Sequence, residues 1–169
     1  MPPHDLTFGP AAEADIGELV ALRNAVADDL TARHGRGHWS GAATERGQRR
    51  AFDGSRLLMA RRDGELVGTL RLTTRKPWAI DVSYFTPVTR ALYLLDMAVS
   101  PSRQGSGIGR ALLDVARRDA IAWPAQSIRL DAYDAPAGAG GFYAASGFRE
   151  VGRVVYRGVG LVYFEWVAS

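Results

Sequence analysis

Apolar residues along this chain alternate between a period of two, which marks a strand with one covered face, and a period near 3.6, which marks a helix with an apolar stripe. Leu6-Thr7-Phe8 makes a short first strand. Ile16, Leu19, Val20, Leu22 and Val26 then share one helical face, with Asp15 as the expected N-cap and Gly35 near the stop. Residues 33–41 are glycine-rich, basic and aromatic and read as a loop, and a second helix runs through Ala51. Residues 56–60 and 65–74 form a hairpin around Arg61-Arg62-Asp63-Gly64, because an Asp-Gly pair accepts the positive φ that a tight two-residue turn demands. Leu66, Gly68, Leu70 and Leu72 alternate onto one face of the second strand. Residues 75–91, with Pro77, Trp78, Tyr84, Phe85 and Pro87, form an irregular connection of a length that is often functional.

The most informative pattern follows. Residues 92–99 are an apolar strand interrupted only by Asp96, and Ser100-Pro101 ends it. Arg103-Gln104-Gly105-Ser106-Gly107-Ile108-Gly109-Arg110 places glycine at alternate positions, and Ile108, Ala111, Leu112, Val115 and Ala116 then line one side of a helix. A glycine turn entering a helix leaves first-turn N–H groups without intrahelical partners, at the positive end of the helix dipole. Such a turn is an anion site, most naturally for phosphate. It is not a Walker loop, G-x-x-x-x-G-K-S/T, since no lysine follows the glycines, and its G-x-G-x-G run is not the G-x-G-x-x-G of dinucleotide folds. Residues 127–133 alternate as a strand, residues 139–146 form a short helix closed by Gly147, and strands over 151–156 and 161–167 finish the chain around Gly158 and Gly160. The order β-α-α-β-β-β-α-β-α-β-β predicts an α+β sandwich, with a central mixed, mostly antiparallel sheet flanked by helices.

Composition narrows the chemistry. A chain of 169 residues with 47% hydrophobic and 23% charged residues reads as one ordinary globular domain over 1–169. No apolar run approaches a membrane span, and Met1-Pro2-Pro3-His4-Asp5 lacks the pattern of a secretory signal, so a cytoplasmic location is expected. The net charge is +3 and Lys76 is the sole lysine, so the cations are nearly all arginines, scattered instead of gathered in a stripe. That distribution argues against nucleic acid as a partner. With no cysteine, thiolate metal sites and a cysteinyl acyl-enzyme are excluded. His34 and His38 have no third ligand at metal spacing, and no metal is expected.

The run Gln104-x-x-Gly107-x-Gly109 resembles the Q/R-x-x-G-x-G/A acyl-CoA loop of the GNAT superfamily of N-acetyltransferases. Tyr143-Ala144-Ala145-Ser146-Gly147-Phe148 resembles that family's Y-x-x-x-G-F signature, and the element order is the family's own over about residues 6–167. The resemblance implies a fourth and a fifth strand that splay to admit the pantetheine arm of acetyl-CoA. The backbone of Met97, Ala98 and Val99 would bond its amides, and the stretch Arg103, Gln104, Gly105, Ser106, Gly107, Ile108, Gly109 and Arg110 would wrap its pyrophosphate. It further implies Tyr143 as the acid that protonates the departing thiolate, a backbone N–H of the fourth strand as the oxyanion donor, and direct attack by an amine in a ternary complex. Asp96 shares a face with Leu94 and Ala98 by strict alternation; it either accepts the amine proton or pairs with an arginine. Asp131 is a weaker base candidate. Where the family often carries an asparagine, this chain has Pro136, with Asp134 as a substitute.

The family's acceptor site would draw on His38, Trp39, Trp78, Tyr84 and Phe85, which suit a small or aromatic amine better than a polycation. The expected activity is therefore transfer of acetyl from acetyl-CoA to a primary amine, the alternatives being another acyl-CoA or a non-catalytic CoA-binding module. The strand 161–167 is apolar enough to pair, as an edge strand, with a second copy in a homodimer, and packing within one chain is just as consistent.

Overall fold

The computed structural model describes residues 5–169; Met1–His4, part of the stretch read for a secretory signal, lie outside the described residues. Its elements run β1 (Leu6–Pro10), α1 (Ile16–His34), α2 (Glu45–Arg50), β2 (Ser55–Arg62), β3 (Glu65–Thr73), β4 (Ala91–Val99), α3 (Ile108–Ala122), β5 (Ser127–Tyr133), α4 (Gly140–Ala145), β6 (Arg149–Tyr156) and β7 (Val159–Val167). This is the order expected from the patterning. The strands form one seven-stranded sheet in the order β1-β2-β3-β4-β5-β7-β6. The β4–β5 pair is parallel, whereas β1–β2, β5–β7 and β6–β7 are antiparallel.

Two compact units divide the chain, one through Leu72 with Leu95–Ala116, the other Thr73–Leu94 with Arg117–Ser169. In the first, β1 pairs with β2 from Leu6–Arg62 to Pro10–Leu58. The β2–β3 turn places Asp63 at φ 50° and Gly64 at φ 79°, the left-handed pair that the Asp-Gly sequence calls for. Leu19, Leu22, Leu57, Met59, Leu66 and Ala98 form a buried cluster, with Val26 and Phe52 packed on it. β3 is buried at consecutive positions from Leu66 to Leu70, so both of its faces are covered, not the one that alternation suggested. At Gly68 the first turns of α3 come down on the strand: a Cβ there would stand 2.8 Å from Leu112 Cδ1 and 3.1 Å from Ile108 Cγ2.

Asp15 does not cap α1. It adopts helical dihedrals and makes no side-chain cap bond, because its carboxylate accepts from the Ala12 N–H at 2.8 Å and from Arg61 Nη2 at 3.0 Å instead. The expected stop holds, since Gly35 takes φ 81°. Thr44 is the cap that opens α2, its hydroxyl accepting from the Gly47 N–H at 3.0 Å.

In the second unit, β4 and β5 pair through Ala91–Ser127, Leu92–Ile128 and Tyr93–Arg129, the first residues of each strand. β7 runs antiparallel to β5 from Ser127–Val167 to Tyr133–Leu161 and, on its other side, to β6. Of the two roles open to residues 161–167, the structure shows packing within the chain. β7 is inserted between β5 and β6, and Leu161 to Glu165 are buried. β6 holds the edge, and there Val155 is 76% exposed.

The close approach at Gly68 makes a specific prediction. Gly68→Val lowers unfolding stability by about 1–3 kcal/mol through overpacking, read as a lower urea midpoint. Gly9→Val, at a position with open space around its Cα, leaves the midpoint nearly unchanged.

Candidate functional site

The glycine turn is built within the first unit. β4 ends at Val99, Pro101–Arg103 make a 3-10 turn, and α3 starts at Ile108. Gly105 and Gly107 take φ 82° and 88°, with no atom within 4 Å of where a Cβ would sit. Glycine is required there by backbone conformation, and the open space beside it leaves room for a ligand to approach the backbone. Gly109 has no positive φ and lies buried inside α3, so it is not part of the turn's unusual backbone. The turn ties itself down: the Arg103 N–H donates to Ser100 O at 2.8 Å, the Ser106 hydroxyl donates to Arg103 O, and Gln104 Nε2 donates back to Val99 O at 3.2 Å. The Ser100 N–H donates to Val67 O at 2.9 Å, which anchors the end of β4 to β3. The first α3 bond runs from the Ala111 N–H to Gly107 O at 3.0 Å, and the first-turn N–H groups before it have no acceptor within the helix. Arg103 leans on Glu65 at 3.6 Å, an exposed contact, and Arg110 is exposed on the first turn of the helix.

Asp96 departs from the alternation on which its face was assigned. Its φ is +54°, a left-handed residue inside a strand, so counting by twos does not carry from Leu94 through to Ala98. Its carboxylate receives two arginines: Arg71 Nε reaches Oδ2 at 3.0 Å and Arg23 Nη2 reaches Oδ1 at 3.4 Å. Arg23 also donates to Gln48 Oε1 at 3.1 Å, and Arg71 to the Ser55 hydroxyl at 3.3 Å. The geometry shows the arginine pairing, which takes one lone pair on each carboxylate oxygen and leaves another on each to accept a proton. Arg23, Gln48 and Arg71 escaped the sequence reading; the one available signal was an arginine inside the apolar run of β3.

Tyr143 belongs to the second unit, on α4. It is buried, with ring centroids 5.3 Å from Phe142, 5.8 Å from Phe148 and 6.1 Å from Phe164. Burial first, and the charge of Asp131 second, push its hydroxyl well above the usual tyrosine value, so it keeps its proton throughout the neutral range. Asp131, opposite Tyr163 on β7, is itself raised by desolvation.

The expected acceptor residues are divided between the two units. In the first unit, His38 and Trp39 form a 3-10 turn with Ser40, Trp39 Nε1 donating to Gly35 O at 2.9 Å. In the second, the connection before β4 is held in place from β7, β5 and β6. Thr86 donates its N–H to the buried Glu165 at 2.9 Å, accepts Arg129 Nη2 on its carbonyl at 2.9 Å, and takes Arg149 Nη2 on its hydroxyl at 3.1 Å. Tyr163 OH accepts from the Asp81 N–H at 3.1 Å and donates to Ala79 O. On this fixed loop Trp78 is 88% exposed, Tyr84 packs edge-on to Tyr163 at 5.5 Å, and Phe85 is buried and so unable to face an acceptor. Among the described residues no cluster of metal-ligating side chains occurs, and no helix is long and apolar enough to cross a membrane.

The model of the Acetyltransferase (GNAT) family matches residues 18–148. Solved structures share the fold. An N-acetyltransferase from Staphylococcus aureus Mu50 is 16% identical with a TM-score of 0.72, covering 96% of this chain and 98% of its own. A ribosomal-protein-alanine N-acetyltransferase from Brucella melitensis is 21% identical, with a TM-score of 0.71 and 96% and 99% coverage. The Salmonella typhimurium protein yncA, solved with its cofactor acetyl-CoA, is 16% identical, with a TM-score of 0.70 and 97% and 94% coverage. No curated protein matches the sequence.

The raised carboxyl of Asp131 gives a pH-dependent prediction. Burial makes the folded chain hold this proton at pH values where the unfolded chain has lost it, so the neutral acid stabilises the fold below 3.8, the ordinary value, and that contribution disappears as pH rises through the folded value. Asp131→Asn therefore raises the thermal midpoint at neutral pH, and the gain shrinks toward zero in acid below the ordinary value.

Proposed function

Because the chain belongs to the GNAT family of acetyltransferases, we propose that it moves the acetyl group of acetyl-CoA to a primary amine by direct attack in a ternary complex. The observation that carries the donor side of this reading is the turn at Gly105 and Gly107, whose left-handed backbone opens against the N-terminus of the 15-residue helix α3. The pyrophosphate sits there on the N–H groups from Gln104 to Arg110, a site that neutralises charge with fixed dipoles and no metal. Arg103 and Arg110 add flexible positive charge. Met97, Ala98 and Val99 carry the pantetheine amides as an added strand would.

The chemistry is aminolysis of a thioester. The neutral amine attacks the carbonyl carbon, its proton leaves to Asp96 or to water, and the tetrahedral oxyanion is met by a backbone N–H of β4 beside the left-handed residue. The C–S bond then breaks, and the thiolate leaves as a thiol with a proton from Tyr143. A hydroxyl raised by burial is a weak acid that is always loaded, so it hydrogen-bonds the sulfur through the transition state and yields its proton as full negative charge develops. His38, Trp39, Trp78 and Tyr84 supply acceptor contacts. No residue in this scheme forms a covalent intermediate, in keeping with a chain that has no cysteine.

Titration calorimetry with acetyl-CoA shows saturable heat, and a thiol-release assay over a panel of primary amines shows turnover. Binding without turnover of any amine would favour a CoA-binding module. Tyr143→Phe keeps the acetyl-CoA affinity and loses roughly 10²- to 10⁴-fold in kcat. The wild-type rate shows no alkaline fall from this group below about pH 10, the ordinary tyrosine value. Full activity in Tyr143→Phe at every pH would refute the acid role. Gly107→Ala, which forces a side chain into φ 88°, weakens acetyl-CoA binding with little change in kcat at saturation.

A further inference from the structure

The cluster around Asp96 carries more positive charge than one carboxylate answers. Arg23 from α1 and Arg71 from β3 each give one nitrogen to Asp96, at opposite oxygens. Neither makes a bidentate fork on it, the arrangement that strong arginine–carboxylate pairs adopt. The other partners, Gln48 and Ser55, are neutral, so two cations and one anion leave an excess of one positive charge. The group is half-buried: the side chains of Arg23, Arg71 and Asp96 are 29%, 21% and 28% exposed. Gln48, which pins Arg23, is 2% exposed and comes from α2. A partly desolvated guanidinium without full compensation is costly and calls for an anion. The cluster also sits at the residue that precedes Met97, where the reading above puts the reacting end of the donor.

We propose that Arg23 and Arg71 receive the carboxylate of the acceptor while Asp96 receives its ammonium group, so that the acceptor is a free α-amino acid. This rests on the transferase reading above and adds the substrate class to it. Two guanidinium groups flanking one carboxylate are complementary to a zwitterion whose carboxylate and ammonium are carried by the same carbon. The acceptor carboxylate completes the charge balance that Asp96 leaves open. Its ammonium beside Asp96 is oriented toward β4 and loses a proton there to become the nucleophile. Arginine suits this task because its planar fork engages a second oxyanion while one nitrogen remains on Asp96.

The test pairs amines that differ only in the carboxylate, such as phenylalanine with phenethylamine and leucine with isoamylamine, in the thiol-release assay. The amino acids are expected to have kcat/KM roughly tenfold to hundredfold above their partners. Arg71→Lys and Arg23→Gln are expected to raise KM for the amino acids by a larger factor than KM for the plain amines, so that the preference for the carboxylate-bearing partner falls toward one whatever happens to kcat. Thermal shifts of the CoA complex with each compound give a readout independent of turnover, and stabilisation by the amino acids alone supports the assignment. Equal or better use of the decarboxylated amines would overturn the inference while leaving the transferase reading intact. So would a CoA complex that no amino acid stabilises. Loss of acetyl-CoA binding itself would strike the transferase reading instead.

Discussion

A central strand that turns left-handed at an aspartate has to be held there, and the two ion pairs of Asp96 do the holding. Positive φ at a residue other than glycine costs on the order of 1–3 kcal/mol and persists only where the surroundings fix it. Here the side chain is gripped from α1 through Arg23 and from β3 through Arg71, while Gln48 of α2 fixes the first of these arginines. One carboxylate thereby joins two helices and two strands. A backbone released from regular strand geometry at this point is free to present its N–H and C=O groups to something other than a neighbouring strand. The ion pairs stand at the meeting of fold and chemistry, since the same atoms that stabilise the distortion are charged groups beside it.

The second unit solves a related problem with buried charge. Glu165 of β7 lies opposite Arg129 of β5 on one side and Arg149 of β6 on the other. The three side chains converge on Thr86, whose N–H, carbonyl and hydroxyl are each engaged. Arg129 is further covered by the rings of Phe85 and Tyr93 at 5.2 and 6.0 Å. Charges this deep inside a sheet add little net stability, but they fix a unique arrangement. What they fix is a long connection that would otherwise wander over the surface, and exposed Trp78 rides on it as a rigidly based aromatic.

Much of this was legible in the sequence where the signal is local. The element order follows from periodicity and punctuation, the Asp63-Gly64 turn from the conformational freedom of its residues, and the left-handed turn at Gly105 and Gly107 from glycine spacing before a helical stripe. The failures are all non-local. Asp15 looks like a cap until Arg61, far away in sequence, claims its carboxylate. Asp96 obeys alternation until two arginines from other elements bend the strand around it. Residues 161–167 could pair with a second copy or within the chain, because hydrophobicity cannot tell which strands will flank them, and here β5 and β6 do. The charged residues within apolar strands, Arg71, Arg129 and Glu165, are the part of this that a sequence displays: each marks a place where tertiary partners answer a cost that local structure cannot.

The insertion of β7 has a consequence for how the chain is made. β6 emerges from the ribosome before the strand against which it pairs, and β5 likewise waits for its second neighbour. Until residues 159–167 are free, Ile128 and Leu130 of β5 lack the strand that pairs with them through Trp166 and Phe164. The late half of the sheet therefore closes in a single event, after synthesis has passed Val167. Up to that moment the nascent protein presents unpaired strand edges and bare apolar rings to chaperones and to other copies of itself, which makes the interval of translation its period of greatest exposure to aggregation.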